Sequence, residues 1–413
     1  MKRNTPLLML FAFIVISGWV VFTKARSNTA VSADPAVPAD PTVPSDADER
    51  IVADLPVSRP EPSVVLPLLH SSEKEAWLRQ AVDAFEAEHP EIDVELESEG
   101  SLDAVYGLLA GEVKPVLWSP ADRLAVNLFT LEWKADDRRD PFVRGARWPR
   151  SLVMTPMVFV AWESRAALLA DQDRNELTWK RLAQAVSAKK GWAGLGGEAH
   201  WGAVKFGHTD PMRSNSGLQT LVLMAYSYHQ RKTKLSPADV TAPRFEAFMR
   251  KLERNRQASE QSLASTAPFM KKFVRDGTGF YDLVMVYESV AISELSRATG
   301  RWGGWRVLYP PINLWSDNPI YLLDTEWVTP EQKHAAQQLV DYLMSEPVQR
   351  MALEYGYRPG NLDVPVLTDD PDNPFKKYAS VGVRVDVPRV VNAPSSDVLL
   401  AITRTYARSI GVQ

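Results

Sequence analysis

The sequence predicts an α/β fold of two lobes, each a sheet flanked by helices, with two hinge crossings between them. Three observations carry this. From residue 63 onward, strand-length apolar segments alternate with segments of helical period, the rhythm of a sheet wrapped by helices. A serine stands immediately before a helical pattern three times, at Ser72, Ser101 and Ser214, each time after an apolar or alternating segment. A long uncharged β-rich run, LVMTPMVFVAW at 152–162, leaves the first group of elements, and NPIYLLD at 318–324 returns to it.

In chain order, VVLPLLH is a short apolar strand that ends where Ser71 and Ser72 begin a helix. Ser72 and Glu75 fit the S-x-x-E capping box, and Trp77, Ala81, Val82 and Phe85 supply the apolar helical face. In IDVELESEGS, Ile92, Val94 and Leu96 alternate with acids, which predicts a strand with one wet face. A helix follows Ser101, and VKPVLW then ends at Trp118 and Ser119. Ligands of parallel sheets sit beyond the carboxyl ends of the strands, where helix N-termini also lie, so Ser72, Ser101 and Ser119 fall at one end of the first lobe.

The second lobe runs from Glu163 to about Asn313 and includes the helix beginning TWKRLAQAV and the strand YDLVMVY. Its most informative stretch is GHTDPMRSNSGLQTLVLMAY at 207–226, a polar turn opening into a helix without charge. Such a junction aims unpaired backbone N–H groups, with the hydroxyls of Ser214 and Ser216, at whatever lies in front of it. Tyr287 and Glu288 close the strand and are expected at the cleft edge, with Glu288 turned away or paired to a base such as Arg213. TPEQKHAAQQLVDYLMSEPVQRMALEYG supplies helices that pack back on the first lobe. The expected divisions are an N-terminal segment 1–26, a stalk 27–62, lobe 1 from 63–155, lobe 2 from 156–317, and a return to lobe 1 from 318–413. No repeat of fixed period occurs, which argues against a solenoid or propeller.

The chain of 413 residues is 45% hydrophobic, enough for a sizeable core. Its formal charge of -4 is concentrated in residues 34–62, which hold seven acids against two arginines. The nearly neutral body has no basic stripe interleaved with aromatics, so nucleic acid is not an expected partner. Cysteine is absent, which removes disulfides, thiolate catalysis, zinc–thiolate sites and a lipid-modified cysteine together. TPLLMLFAFIVISGWVVFT at 5–23 would span about 28 Å as a helix, and predicts a single-pass anchor that leaves the body outside the cytoplasmic membrane. Cleavage after Ala33 would instead give a secreted or periplasmic body. Pro35, Pro38, Pro41 and Pro44 recur with the polyproline II period among acids and predict an extended stalk.

No catalytic set emerges. Ser71 and Lys74 form S-x-x-K, but no S-D-N or K-T-G partner follows, and the capping box at Ser72 and Glu75 accounts for the segment. The six histidines include no i, i+4 pair and no HExxH. Asp369, Asp370, Asp372 and Asn373 lie in a Pro-interrupted loop without the EF-hand glycine and distal glutamate. GLGG at 194–197 lacks dinucleotide and P-loop spacing. Trp302, Trp305 and Trp315 could stack a sugar but fit core or interlobe packing better.

The order of VVLPLLHSSEKEAWL, HPEIDVELESEGS, LWSPA, LVMTPMVFVAWES, FGHTDPMRSNSGL, YDLVMVYESVAI, VLYPPINLWSDNPIYLLD and GYRPGN resembles that of the bacterial extracellular solute-binding proteins of ABC transporters, in the sulfate- and molybdate-type branch. The likeness covers about residues 63–413. It implies a periplasmic-binding-protein-like (type II) fold, a small-molecule solute, an ABC permease or other membrane partner, no cofactor and no enzymatic activity. Tyr287 matches a place where oxyanion-binding relatives use a tyrosine hydroxyl. The expected ligand donors are therefore Ser72, Ser101, Ser119, Ser214, Ser216 and Tyr287, all uncharged, and the resemblance implies an oxyanion among the candidate solutes. Two other classes stay open: a membrane-tethered interaction or sensor module that keeps this fold without transport, and an enzyme on the same fold.

Overall fold

In the computed structural model the described residues are 62–411, apart from 136–137, 172, 232–233, 256–263, 296–299 and 388. The expected N-terminal anchor and all but the last residue of the stalk lie outside them. Among the described residues no helix is long and apolar enough to cross a membrane.

Each lobe is built on its own sheet. The first begins with β1 (Val64–Val65), β2 (Leu68–Ser71), α1 (Glu75–Glu88), β3 (Ile92–Asp93), β4 (Leu96–Glu99), α2 (Ser101–Ala110), β5 (Leu117–Ser119), α3 (Arg123–Ala135) and β6 (Arg150–Ser151). The alternation forms because Trp77, Leu78, Ala81, Val82 and Phe85 recur at helical spacing and bury one face of α1, while β2 and β5 are buried along their whole length. β2 pairs in parallel with β4 and with β5, and β1 pairs in parallel with β3.

The chain crosses at Leu152 into β7 (Val153–Trp162), the long uncharged strand, which is the spine of the second sheet. There follow α4 (Glu163–Leu169), α5 (Trp179–Val186), β8 (Phe206–Gly207), α6 (Asn215–Tyr228), α7 (Pro237–Val240), α8 (Pro243–Leu252), α9 (Thr266–Asp276), β9 (Leu283–Tyr287), α10 (Glu288–Leu295), β10 (Trp305–Leu308) and β11 (Trp315–Ser316). β7 pairs antiparallel with β9, β10 and β11, with Met157 opposite Tyr287, and β8 runs parallel to β9. α6 is buried on all sides from Asn215 to Tyr226, which is why it carries no charge.

The return crossing at Asp317–Asn318 leads to β12 (Pro319–Leu322), which enters the first sheet between β5 and β6 and gives the order β4-β2-β5-β12-β6. Of the elements that follow, α11 (Pro330–Leu343) and α12 (Glu346–Glu354) pack on α1, and β13 (Arg358–Pro359) pairs with the start of β7. After the short α13 (Pro374–Lys377), α14 (Ser396–Ile410) buries Val398, Leu399, Ile402 and Tyr406 against α3, α6, α7 and α8.

Candidate functional site

The carboxyl ends of β2, β4, β5, β8 and β9 face one recess, and the helices or turns that follow begin there. It is lined by Ser71, Ser72 and Glu73 after β2, Gly100 and Ser101 after β4, Ala121 after β5, Ser214 and Asn215 at the start of α6, Ser265 and Thr266 at the start of α9, and Tyr287 at the end of β9. About 10 Å³ is free within it, the scale of a single water molecule. The approach of the elements is close: a Cβ added at Gly100 would sit 3.2 Å from the Arg213 carbonyl oxygen and 3.4 Å from that of Ala264, the lead-ins to α6 and α9. Glycine is what lets the start of α2 reach them.

Several hydroxyls of the recess are engaged with one another across elements. Ser72 Oγ is hydrogen bonded to Ser265 Oγ, joining the turn after β2 to the start of α9. The Ala121 N–H donates to Ser101 Oγ at 3.0 Å, and Asn215 Nδ2 donates to the Tyr287 hydroxyl at 3.0 Å. Asn215 Oδ1, on a side chain only 3% exposed, has no hydrogen-bond partner.

Two charges sit side by side at the β2 end. Lys74 is fully buried, and its ammonium donates to Ser71 Oγ, to the Ser119 carbonyl at 2.9 Å and to the Pro120 carbonyl at 3.3 Å. All three of its protons are placed, so the group is a fixed cation and not a free base. Burial pulls its pKa down to about 8, opposed by the neighbouring Glu73. Ser71 Oγ in turn donates to Glu73 Oε1 at 2.6 Å, and that carboxylate lies 3.8 Å from Lys74 Nζ with its side chain 4% exposed. Behind the recess, burial pushes Asp122 up to about 7, although the Leu124 N–H at 2.8 Å and the Gln219 amide both donate to it. Burial, then the charges of Glu73 and Asp122, push the Tyr287 phenol well up, so it enters the recess as a neutral hydroxyl.

Ser72, Ser101, Ser214 and Tyr287 thus share the recess, whereas Ser119 and Ser216 do not line it. Ser119 turns its carbonyl to Lys74, and its hydroxyl is buried without a partner. Ser216 is held behind the α6 terminus by Thr209 at 2.7 Å and Thr266 at 2.6 Å. The capping box is not formed: α1 starts at Glu75 after a 3-10 turn, Ser72 bonds Ser265 instead, and no side chain caps either start. The Ser71–Lys74 pair, set aside in the sequence, is joined by a hydrogen bond. Glu288 is fully buried behind the cleft, where Arg358 holds both its oxygens at 3.0 and 2.9 Å and Tyr309 donates to it; Arg213 pairs with Asp103 at 3.1 Å. Trp305 is buried in β10, Trp302 covers Gly277, and Trp315 lies beneath the Arg358 guanidinium. Sequence reasoning missed Glu73, Asn215, Ser265 and Thr266. A signal existed for the last two in Ser265-Thr266-Ala267-Pro268, a serine before a helix with an early proline.

A two-sheet body crossed twice by its chain, with a polar recess at the strand ends where helices from both lobes begin, defines a two-lobed binding protein. The chain belongs to the bacterial extracellular solute-binding protein family, whose sequence profile matches residues 66–358. No curated protein matches it in sequence. Solved structures similar in fold include the sulfate-binding protein SubI from Mycobacterium tuberculosis H37Rv, at 15% identity and TM-score 0.51, covering 81% of this chain and 96% of that one. An ABC transporter solute-binding protein from Thermotoga lettingae TMO bound with α-D-tagatose matches at 12% identity and TM-score 0.58 over 85% and 95% of the two chains. Iron-bound HitA from Pseudomonas aeruginosa matches at 13% identity and TM-score 0.54 over 83% and 99%. The solutes in these names differ in kind, and the likeness is one of fold.

Proposed function

We propose that the protein captures a compact oxyanion in the recess between its lobes and delivers it to an ABC permease. It does so outside the cytoplasm, held at the membrane by residues 1–26 and spaced from it by the stalk 27–62. The domain division is part of this reading: 63–155 with 318–413 is one jaw and 156–317 the other, with β13 on β7 and α14 on α6, α7 and α8 reaching across the division. The observation that carries it is the convergence of the starts of α2, α6 and α9, with the turn after β2, on one small recess lined by Ser72, Ser101, Ser214 and Tyr287. Helix N-termini present oriented N–H dipoles that stabilise an anion without an exposed counter-ion. Ser119 and Ser216 support the site from behind in this reading.

The experiment is a thermal-shift series on the purified chain with sulfate, molybdate and phosphate beside neutral sugars. A ligand at a hundredfold its dissociation constant adds about 2.7 kcal/mol of stability. Stabilisation by an oxyanion is the expected result. A shift with a sugar alone, or with no small solute, refutes the oxyanion reading. The second outcome favours a tethered interaction module on the same fold, a reading that the small free volume of the recess also favours.

A further inference from the structure

The recess already contains an anion, and it is part of the chain. We propose that the Glu73 carboxylate is a built-in competitor, seated where a bound oxyanion would sit, so that an incoming oxyanion must displace it. This rests on the oxyanion reading above and adds the residue that sets how tightly such a ligand is held.

Three observations support it. Glu73 lines the same recess as the starts of α2, α6 and α9, and its side chain is almost wholly covered. It accepts a hydrogen bond from the Ser71 hydroxyl at 2.6 Å and stands 3.8 Å from the buried Lys74 ammonium. The space left beside it is about 10 Å³, too little for a second multi-atom anion in the same arrangement.

Two anions in one poorly hydrated recess repel, so binding of a second requires the first to leave. Glu73 is two residues beyond the end of β2, on the 3-10 turn Ser72–Lys74 before α1, where a side-chain rotation moves the carboxylate out without breaking a strand pairing. Lys74 stays behind, its three protons on Ser71 Oγ and two carbonyls, and acts on either anion as a nearby positive charge.

The test is calorimetric titration of the full chain, wild type, Glu73→Gln and Glu73→Ala, with sulfate, a fully ionised probe at neutral pH. Both variants are expected to bind at least tenfold more tightly than the wild type, and the alanine form keeps the test standing if the glutamine form does not fold. Unchanged or weaker binding in the folded variants, with measurable binding by the wild type, overturns the proposal and leaves the oxyanion reading intact. Absence of sulfate, molybdate and phosphate binding in all three proteins overturns both. A lower melting temperature of the unliganded variants, with a larger rise on adding sulfate than the wild type shows, is the further result expected of a tethered anion; a bystander carboxylate would give equal rises in all three proteins.

Discussion

Gly217, in the first turn of α6, is the position where one methyl group should do most harm. A Cβ there would lie 2.5 Å from the Thr209 carbonyl oxygen, 2.7 Å from the Pro211 nitrogen and 2.8 Å from the Asp210 carbonyl carbon. All three are backbone atoms, so no rotamer change relieves the overlap, and the helix must move off the 209–211 turn. Alanine in place of glycine favours a helix by about 0.8–1.0 kcal/mol. Overpacking of a close-packed interior costs about 1–3 kcal/mol. Because the overlap is with three backbone atoms, the upper half of that range applies, and Gly217→Ala should lose a net of about 1–2 kcal/mol. The shift also pulls on Ser214 N–H to Asp210 O at 2.8 Å and on Thr209 to Ser216 at 2.7 Å, so the start of α6 in the recess moves with it. The assay is urea unfolding, with Gly279→Ala as control, since nothing lies within 4 Å of a Cβ at that position. The control should match the wild type to within about 0.5 kcal/mol or gain slightly. A Gly217→Ala protein as stable as the control would refute the argument, because the turn and helix could not then be locked together.

Two further expectations concern buried charge. Arg358→Met removes the partner that holds both oxygens of Glu288 and should cost about 3–5 kcal/mol, while Arg358→Met with Glu288→Met should recover most of that; a single-variant loss below about 1 kcal/mol would count against the pair. Asp122 has a folded pKa raised from 3.8 to about 7, so its contribution to stability is fully present below the unfolded value and is lost as pH rises through the folded one. Over that window the wild type should lose on the order of 4 kcal/mol relative to Asp122→Asn, and parallel stability curves from pH 4 to pH 8 would sink the assignment.

Much of this architecture can be read from local pattern. The period of Trp77, Ala81, Val82 and Phe85 and the uncharged run at 152–162 report burial directly, and burial decides where helices and strands go. Ser72, Ser101 and Ser214 were legible as helix starts because each follows a strand end, and strand ends share a side of a sheet. What could not be read is who satisfies whom across the fold. The capping box between Ser72 and Glu75 is a local option that lost to Ser265, a partner distant in sequence. Ser216 and Ser119 looked like ligand donors for the same reason as their neighbours, but Thr209, Thr266 and Lys74 engage those residues from inside. Glu288 found Arg358 and not Arg213 because the return segment carrying β13 lies against β7. Local spacing carries no record of that path.

The place of β12 in the first sheet bears on how the protein is made. β5 is complete at Ser119, yet its neighbour on one side begins at Pro319. Until a growing chain has added β7 to β11 of the second sheet, the hydrogen-bonding edge of β5 has no mate, and β6 is stranded beyond it. Pairings so remote along the chain form slowly. The first sheet therefore closes only after the second lobe has been made, and until then β5 is an open edge exposed to pairing with other chains.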